Sequence, residues 1–171
     1  QHVVRGFAQR HALSESRVRD CVTRFRGLID IWDVVNEAVD PGRFDGTNRM
    51  TGAMKALHVT DWTVRSFRAA REAHPGATLL INDYRTDQDF LDLISRLVHD
   101  GKPVYDVIGI QSHMHGGAWT PKRTWEVCEA FARFGVPLHF TETTIVSGRR
   151  LGPGERWGPS EPDLEEFQAR E

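Results

Sequence analysis

Four short apolar runs punctuate the chain, each followed by a stretch in which apolar positions recur at helical spacing. The runs are "IDIWDVV" (29–35), "ATLLIND" (77–83), "YDVIGIQSH" (105–113) and "PLHFTET" (137–143). Their length and aliphatic content predict strands, and "TLLI" and "VIGI" suit strands buried on both faces. Helices are predicted over 14–28, 48–74, 87–101 and 121–135, with a last one opening at 161. Start and stop residues agree: Ser14 or Ser16 as an N-cap, Pro121 early in its helix, Pro75-Gly76 as a breaker, and Gly101 and Gly135 at C-terminal ends.

Strands alternating with helices at roughly 30 residues per unit are the mark of βαβ crossovers and a parallel sheet, so the fold class is α/β. The polar residues gather in one place. Asn36-Glu37, Asn82-Asp83, Gln111-Ser112-His113 and Thr141-Glu142 each end a predicted strand. In parallel α/β sheets that end is where ligands bind.

At 171 residues the chain supports one good core and hardly two domains. A net charge of −2 excludes the basic excess expected of a nucleic-acid binder, and no apolar run approaches the ~18 residues of a membrane span. Two cysteines, Cys21 and Cys128, fall in predicted helices and are expected to be buried free thiols rather than a disulfide or metal framework.

Two carboxylates on separate strand tips are what a glycosidase needs. One acid protonates the leaving oxygen, and the other attacks the anomeric carbon or activates water. Their surroundings must hold one protonated and the other ionised. Glu37 and Glu142 are the candidates, with Asn36 able to bond a sugar hydroxyl and His113 able to hold a neighbouring carboxylate.

In order along the chain, "WDVVNEA", "INDY", "GIQSHMH" and "HFTET" resemble glycoside hydrolase family 10, the endo-β-1,4-xylanases. The likeness runs from the helix before "IDIWDVVNEA" to the helix beginning "EPDLEEF". It implies a (β/α)8 TIM barrel of which this chain covers about the fourth to seventh strands and the helices between them. Residues 1–171 would then be part of one catalytic domain whose N-terminal strands and last strand are absent. A whole barrel takes ~250 residues.

The resemblance also implies retaining hydrolysis, with Glu37 as acid/base and Glu142 as nucleophile. Asn36 would lie near the 2-hydroxyl of the sugar, Gln111 and His113 beside the nucleophile, and Asn82 and Tyr84 along the cleft. It implies no cofactor or metal, a β-1,4-xylan or xylo-oligosaccharide substrate, no nucleic acid or membrane partner, and a monomer. Secretion is expected because polymeric xylan lies outside cells, although "QHVVRGFAQRHALSE" shows no signal-peptide pattern. One position departs from the family: where an Asp usually follows the nucleophile by two residues, Thr144 stands.

Other readings compete. His113 and His115 of "HMHGG" could ligate a metal in a metal-dependent hydrolase, with Glu37, Asp83 or Glu142 as third ligand. Trp157, in the Gly/Pro-rich loop after the last strand, is the best placed to stack on sugar, followed by Trp119. Trp32, Trp62 and Trp125 read as packing residues, Asp33 as a hydrogen-bonded group within a strand, and Arg43 as part of a solvated turn. A non-catalytic relic would bind xylo-oligosaccharides without releasing reducing ends. A doubly wound domain with a different ligand would break the sequential strand order.

Overall fold

The computed structural model describes residues 2–44, 52, 54, 58–115, 117–150, 152 and 157–170. Helix α1 (His2–Arg24) leads through a turn at Gly27, φ 81°, into β1 (Ile31–Asn36). A 3-10 turn (Pro41–Phe44) follows, then α2 (Val59–Ala73), β2 (Thr78–Asp83) and α3 (Gln88–Arg96). A small hairpin, β3 (Val98–His99) with β4 (Lys102–Pro103), precedes β5 (Val107–Met114) and α4 (Pro121–Ala132). β6 (Leu138–Ile145), a second hairpin of β7 (Gly148–Arg150) with β8 (Trp157–Ser160), and α5 (Pro162–Arg170) complete the order.

The main sheet runs β1-β2-β5-β6, and every neighbouring pair is parallel. Spatial order follows chain order with no reversal. A doubly wound sheet reverses at a switch point, so this arrangement contradicts that rival and suits a barrel wall. Leu79, Ile81, Ile108 and Ile110 of the two inner strands are fully buried. They join one core with Phe67 and Ala70 of α2, Phe90, Leu93 and Ile94 of α3, and Val127 and Phe131 of α4. Phe90 and Phe131 meet with ring centroids 5.4 Å apart.

α1 packs on α2, tied by Arg19 and Glu72 at 2.5 Å. At the N-terminal end of the sheet, Asp106 accepts from the Leu79 backbone N–H at 2.7 Å and from Arg71 at 2.5 Å. A cavity of about 310 Å³ lined by Phe67, Arg71, His99 and Pro103 lies on this side and contains none of the expected site residues.

Several expectations need correction. The helix expected over 14–28 runs from His2 to Arg24, so Ser14 and Ser16 lie inside α1 and not at its N-cap. The helix expected over 48–74 is interrupted: Gly52 and Met54 are helical, but His58, with φ 62°, cannot continue a helical path, and α2 starts after it at Val59; the other residues between 48 and 57 lie outside the described set. The helix expected to reach Gly101 stops at Arg96. Asp100 and Gly101, with φ 49° and 74°, turn the β3–β4 hairpin instead, a Asp-Gly pair being a preferred hairpin turn. Trp125 is 66% exposed rather than packed. It sits two residues before Val127, about 200° around the helix from the side that meets the core.

The other packing expectations hold. Trp62 is buried, and Trp32 is half-buried with its indole N–H donating to the Ile29 carbonyl at 3.0 Å. Both cysteines are free, but they are partly and not fully buried. No helix among the described residues is long and apolar enough to cross a membrane.

Candidate active site

Parallel register brings the strand tips into line: Asn36 pairs with Asn82, Asn82 with Gly109, and Gln111 with Glu142. The ladder is irregular between Asp33 and Val35 and between Ile110 and Gln111. Such irregularities re-aim side chains near sites. Directly after β1, Glu37 takes φ 54°, a left-handed conformation that costs energy for a residue with a Cβ. Its N–H donates to the Asn82 carbonyl at 2.9 Å, which anchors that turn to β2.

Side chains connect the two acids. The Gln111 amide nitrogen donates to Glu37 Oε1 at 3.2 Å and to Asn36 Oδ1 at 2.9 Å. The Asn82 amide nitrogen donates to Asn36 Oδ1 and to Glu142 Oε1, both at 3.0 Å. Thr141 donates its hydroxyl to Asn82 Oδ1 at 2.7 Å, which fixes which way that amide faces. His113 Nε2 lies 3.0 Å from Glu142 Oε2, and its Nδ1 lies 2.8 Å from Thr144 Oγ1. Glu37, Asn36, Asn82, Gln111, His113 and Glu142 thus share one network at one end of the sheet.

The donors are buried and the acid at the far side is open. Asn82 and Gln111 are 0% and 2% exposed, whereas the Glu142 side chain is 42% exposed. A buried amide with each polar atom bonded does not rotate freely, so the exposed carboxylate is held from behind while its front faces solvent. Asn36 Oδ1 accepts both amides, which leaves its Nδ2 as the donor for a ligand.

Two neighbouring acids are perturbed. Asp33 keeps surface on the open side of the sheet, yet surrounding protein atoms push its carboxyl up to about 6; the Asn82 amide works against this and the Glu142 charge adds to it. Burial also raises Asp83, opposed by the Arg85 and Val39 backbone N–H groups at 3.0 and 3.1 Å. Asp83 thereby braces the loops after β1 and β2. Asp33, expected to be a hydrogen-bonded strand residue, interacts with Asn82 and also feels the charge of Glu142.

Of the remaining candidates, Tyr84 follows β2 and is half-buried. Trp157 belongs to β8, not to a loop, and its side chain, like that of Arg43, lies outside the described residues. Trp119 is partly buried against the core with the Arg123 guanidinium 5.7 Å over its ring, so its own chain takes a face that a sugar would need. His113 and His115 stack on each other at 5.4 Å, and no group of three metal-capable side chains occurs among the described residues.

Sequence reading missed Gly109. A Cβ there would come within 2.6 Å of Asn82 Oδ1 and 2.7 Å of Leu80 Cδ2. A glycine inside a strand signals close approach, so "VIGI" did carry the cue. Thr141 was read only as a companion of Glu142, and nothing in the sequence marked its bond to Asn82.

Known proteins resemble this chain in sequence and in fold. The profile of Glycosyl hydrolase family 10 matches residues 7–152. Endo-1,4-beta-xylanase A of Thermotoga maritima is 38% identical over 129 residues, 73% of this chain and 12% of that protein. Endo-1,4-beta-xylanase B of Paenibacillus barcinonensis is 36% identical over 133 residues, 72% of this chain and 38% of that protein. The solved structure of a GH10 protein from Paenibacillus barcinonensis superposes with TM-score 0.72 at 28% identity, covering 96% of this chain and 50% of that one. Native xylanase 10B from Thermotoga maritima gives 0.64 at 26% identity, covering 91% and 46%. The chain therefore spans about half of those solved chains and less of the curated relatives. Its four parallel strands are part of a (β/α)8 barrel, and the chain belongs to glycosyl hydrolase family 10.

Proposed function

We propose that these residues form the carboxylate half of a retaining endo-β-1,4-xylanase, and that 1–171 is part of a single catalytic domain completed by further strands. One observation carries the reading: Glu37 and Glu142 belong to one network through Gln111, Asn36 and Asn82. In the first step Glu37 protonates the glycosidic oxygen while Glu142 attacks the anomeric carbon, and the shortened xylan leaves as an alcohol. In the second, Glu37 takes a proton from water, whose oxygen displaces Glu142 from the sugar. Two inversions retain configuration, which calls for carboxylates ~5–5.5 Å apart rather than ~6.5–9.5 Å.

Asn36 Nδ2 would then bond the 2-hydroxyl of the sugar, where hydrogen bonds that strengthen in the transition state help most. Asn82 and Tyr84 would line the cleft, and Trp157 would offer a stacking surface. The substrate is β-1,4-xylan or a xylo-oligosaccharide, the working form a monomer, and the site of action outside the cell. The test is Glu142→Ala in a polypeptide that closes the barrel. Turnover of xylo-oligosaccharides should fall by about 10⁵-fold. Azide should restore it and yield a glycosyl azide of inverted configuration. Near-normal turnover without azide would remove Glu142 from the role of nucleophile.

A further inference from the structure

Two hydrogen bonds meet on the His113 ring from opposite sides: Nε2 at 3.0 Å from Glu142 Oε2, Nδ1 at 2.8 Å from Thr144 Oγ1. An ionised carboxylate only accepts, so in that state Nε2 must bring the proton. A hydroxyl both donates and accepts, so Thr144 fits Nδ1 with or without a proton. The surroundings decide between the two. Thr144 is half-buried, and His113 Nδ1 is the partner its hydroxyl meets among the described residues. A second proton on the ring would displace a donation from Thr144. The His115 ring stacks on His113 at 5.4 Å with 23° between the planes and holds the imidazole in this orientation.

We propose that Thr144 is a positioning residue: its hydroxyl donates to His113 Nδ1 and so keeps the imidazole proton on Nε2, aimed at Glu142. The catalytic meaning of this rests on the reading of Glu142 as nucleophile; the proton placement does not. With the ring uncharged, both carboxylate oxygens of Glu142 accept from neutral donors, the Asn82 amide at Oε1 and the imidazole at Oε2. Neutral donors stabilise a carboxylate less than a cation does, so the oxygen keeps more of its reactivity toward sugar carbon.

The experiment is ring-nitrogen NMR of the 15N-labelled chain at neutral pH, comparing wild type with Thr144→Val, Thr144→Ser and Thr144→Asp. Wild type should show Nε2 protonated and Nδ1 unprotonated but hydrogen-bonded, and Thr144→Ser should match it. In Thr144→Val the Nδ1 resonance should move toward that of a free, unbonded nitrogen. Thr144→Asp, which offers only an acceptor, should draw a proton onto Nδ1. A proton on Nδ1 in wild type, or a Thr144→Val spectrum identical to wild type, would overturn the proposal.

In a barrel-completed polypeptide, Thr144→Val should lower kcat about fivefold with KM nearly unchanged, and Thr144→Ser should restore it. Unchanged kcat in Thr144→Val would overturn the catalytic part. If Glu142→Ala retains turnover while the ring spectra behave as stated, the nucleophile reading fails and the proton placement stands. The reverse pattern removes the placement alone.

Discussion

The two inner strands and the two outer strands of the sheet are made of similar material and do different work. In β2 and β5 nearly every residue is buried, Leu79, Ile81, Ile108 and Ile110 completely. In β1 and β6 aliphatic and aromatic residues stand in the open, with Ile31 55% and Phe140 43% exposed. Both carboxylates belong to the outer pair, Glu37 just after β1 and Glu142 within β6. The groups that hold them, Asn82, Gln111 and His113, belong to the inner pair. The carboxylates and the groups that hold them are therefore on different strands, and the inner amides join them.

If that division is real, equal chemical insults should have unequal effects. Ile108→Ala removes a completely buried side chain from β5 and should lower unfolding free energy by about 2–5 kcal/mol. Phe140→Ala deletes a larger side chain from β6, yet with 43% of it already exposed the loss should stay near 1 kcal/mol. Urea titration followed by tryptophan fluorescence compares the two on one chain. Equal losses would mean that β6 is packed as firmly as the centre.

Gly109→Ala attacks the joint itself. The new Cβ would collide with Asn82 Oδ1 and Leu80 Cδ2 and press on Thr141 Cγ2 at 3.0 Å. Leu80 is packed and Asn82 is bonded at both ends of its amide, so neither yields cheaply. A stability loss of about 1–3 kcal/mol is expected. A loss of turnover in the barrel-completed enzyme should accompany it, because Asn82 can no longer meet Glu142. Lost stability with full turnover would show that the inner amide is not what holds the acid.

These pairings explain what could be read without coordinates. The strands were legible because inner strands of a parallel sheet are buried on both faces and their sequences show it. Glu37 and Glu142 were legible because both follow apolar runs that end at the same side. Gln111 was legible by its strand position, but its double donation to Asn36 and Glu37 depends on a register irregularity that no residue type announces. The left-handed turn at Glu37 was invisible for the same reason, since glutamate is not a residue chosen for positive φ. The β3–β4 hairpin was hidden because Leu97 and Val98 continue the apolar spacing of α3. Only the Asp100-Gly101 pair contradicts it.

Asp33 is the outer-strand residue that most directly feels the inner frame, and it sets the smallest expected effect. Its carboxyl is raised from 3.8 to about 6, first by burial and then by the Glu142 charge, against the pull of Asn82. Between those two values the folded chain holds a proton that the unfolded chain has released. The unfolded state binds fewer protons there, so stability falls as pH rises from about 4 to about 6 and is level above it. Asp83, raised in the same direction by its burial, adds a fall of the same sign. Asp33→Asn should remove its own share and leave that of Asp83, so a plot of unfolding free energy against pH should flatten without becoming flat. Water at the open side of the sheet screens Asp33, which keeps the change small. A variant whose pH profile overlays wild type would show that this carboxylate is solvated like any other on an outer strand, and that the inner frame reaches no further than Glu142.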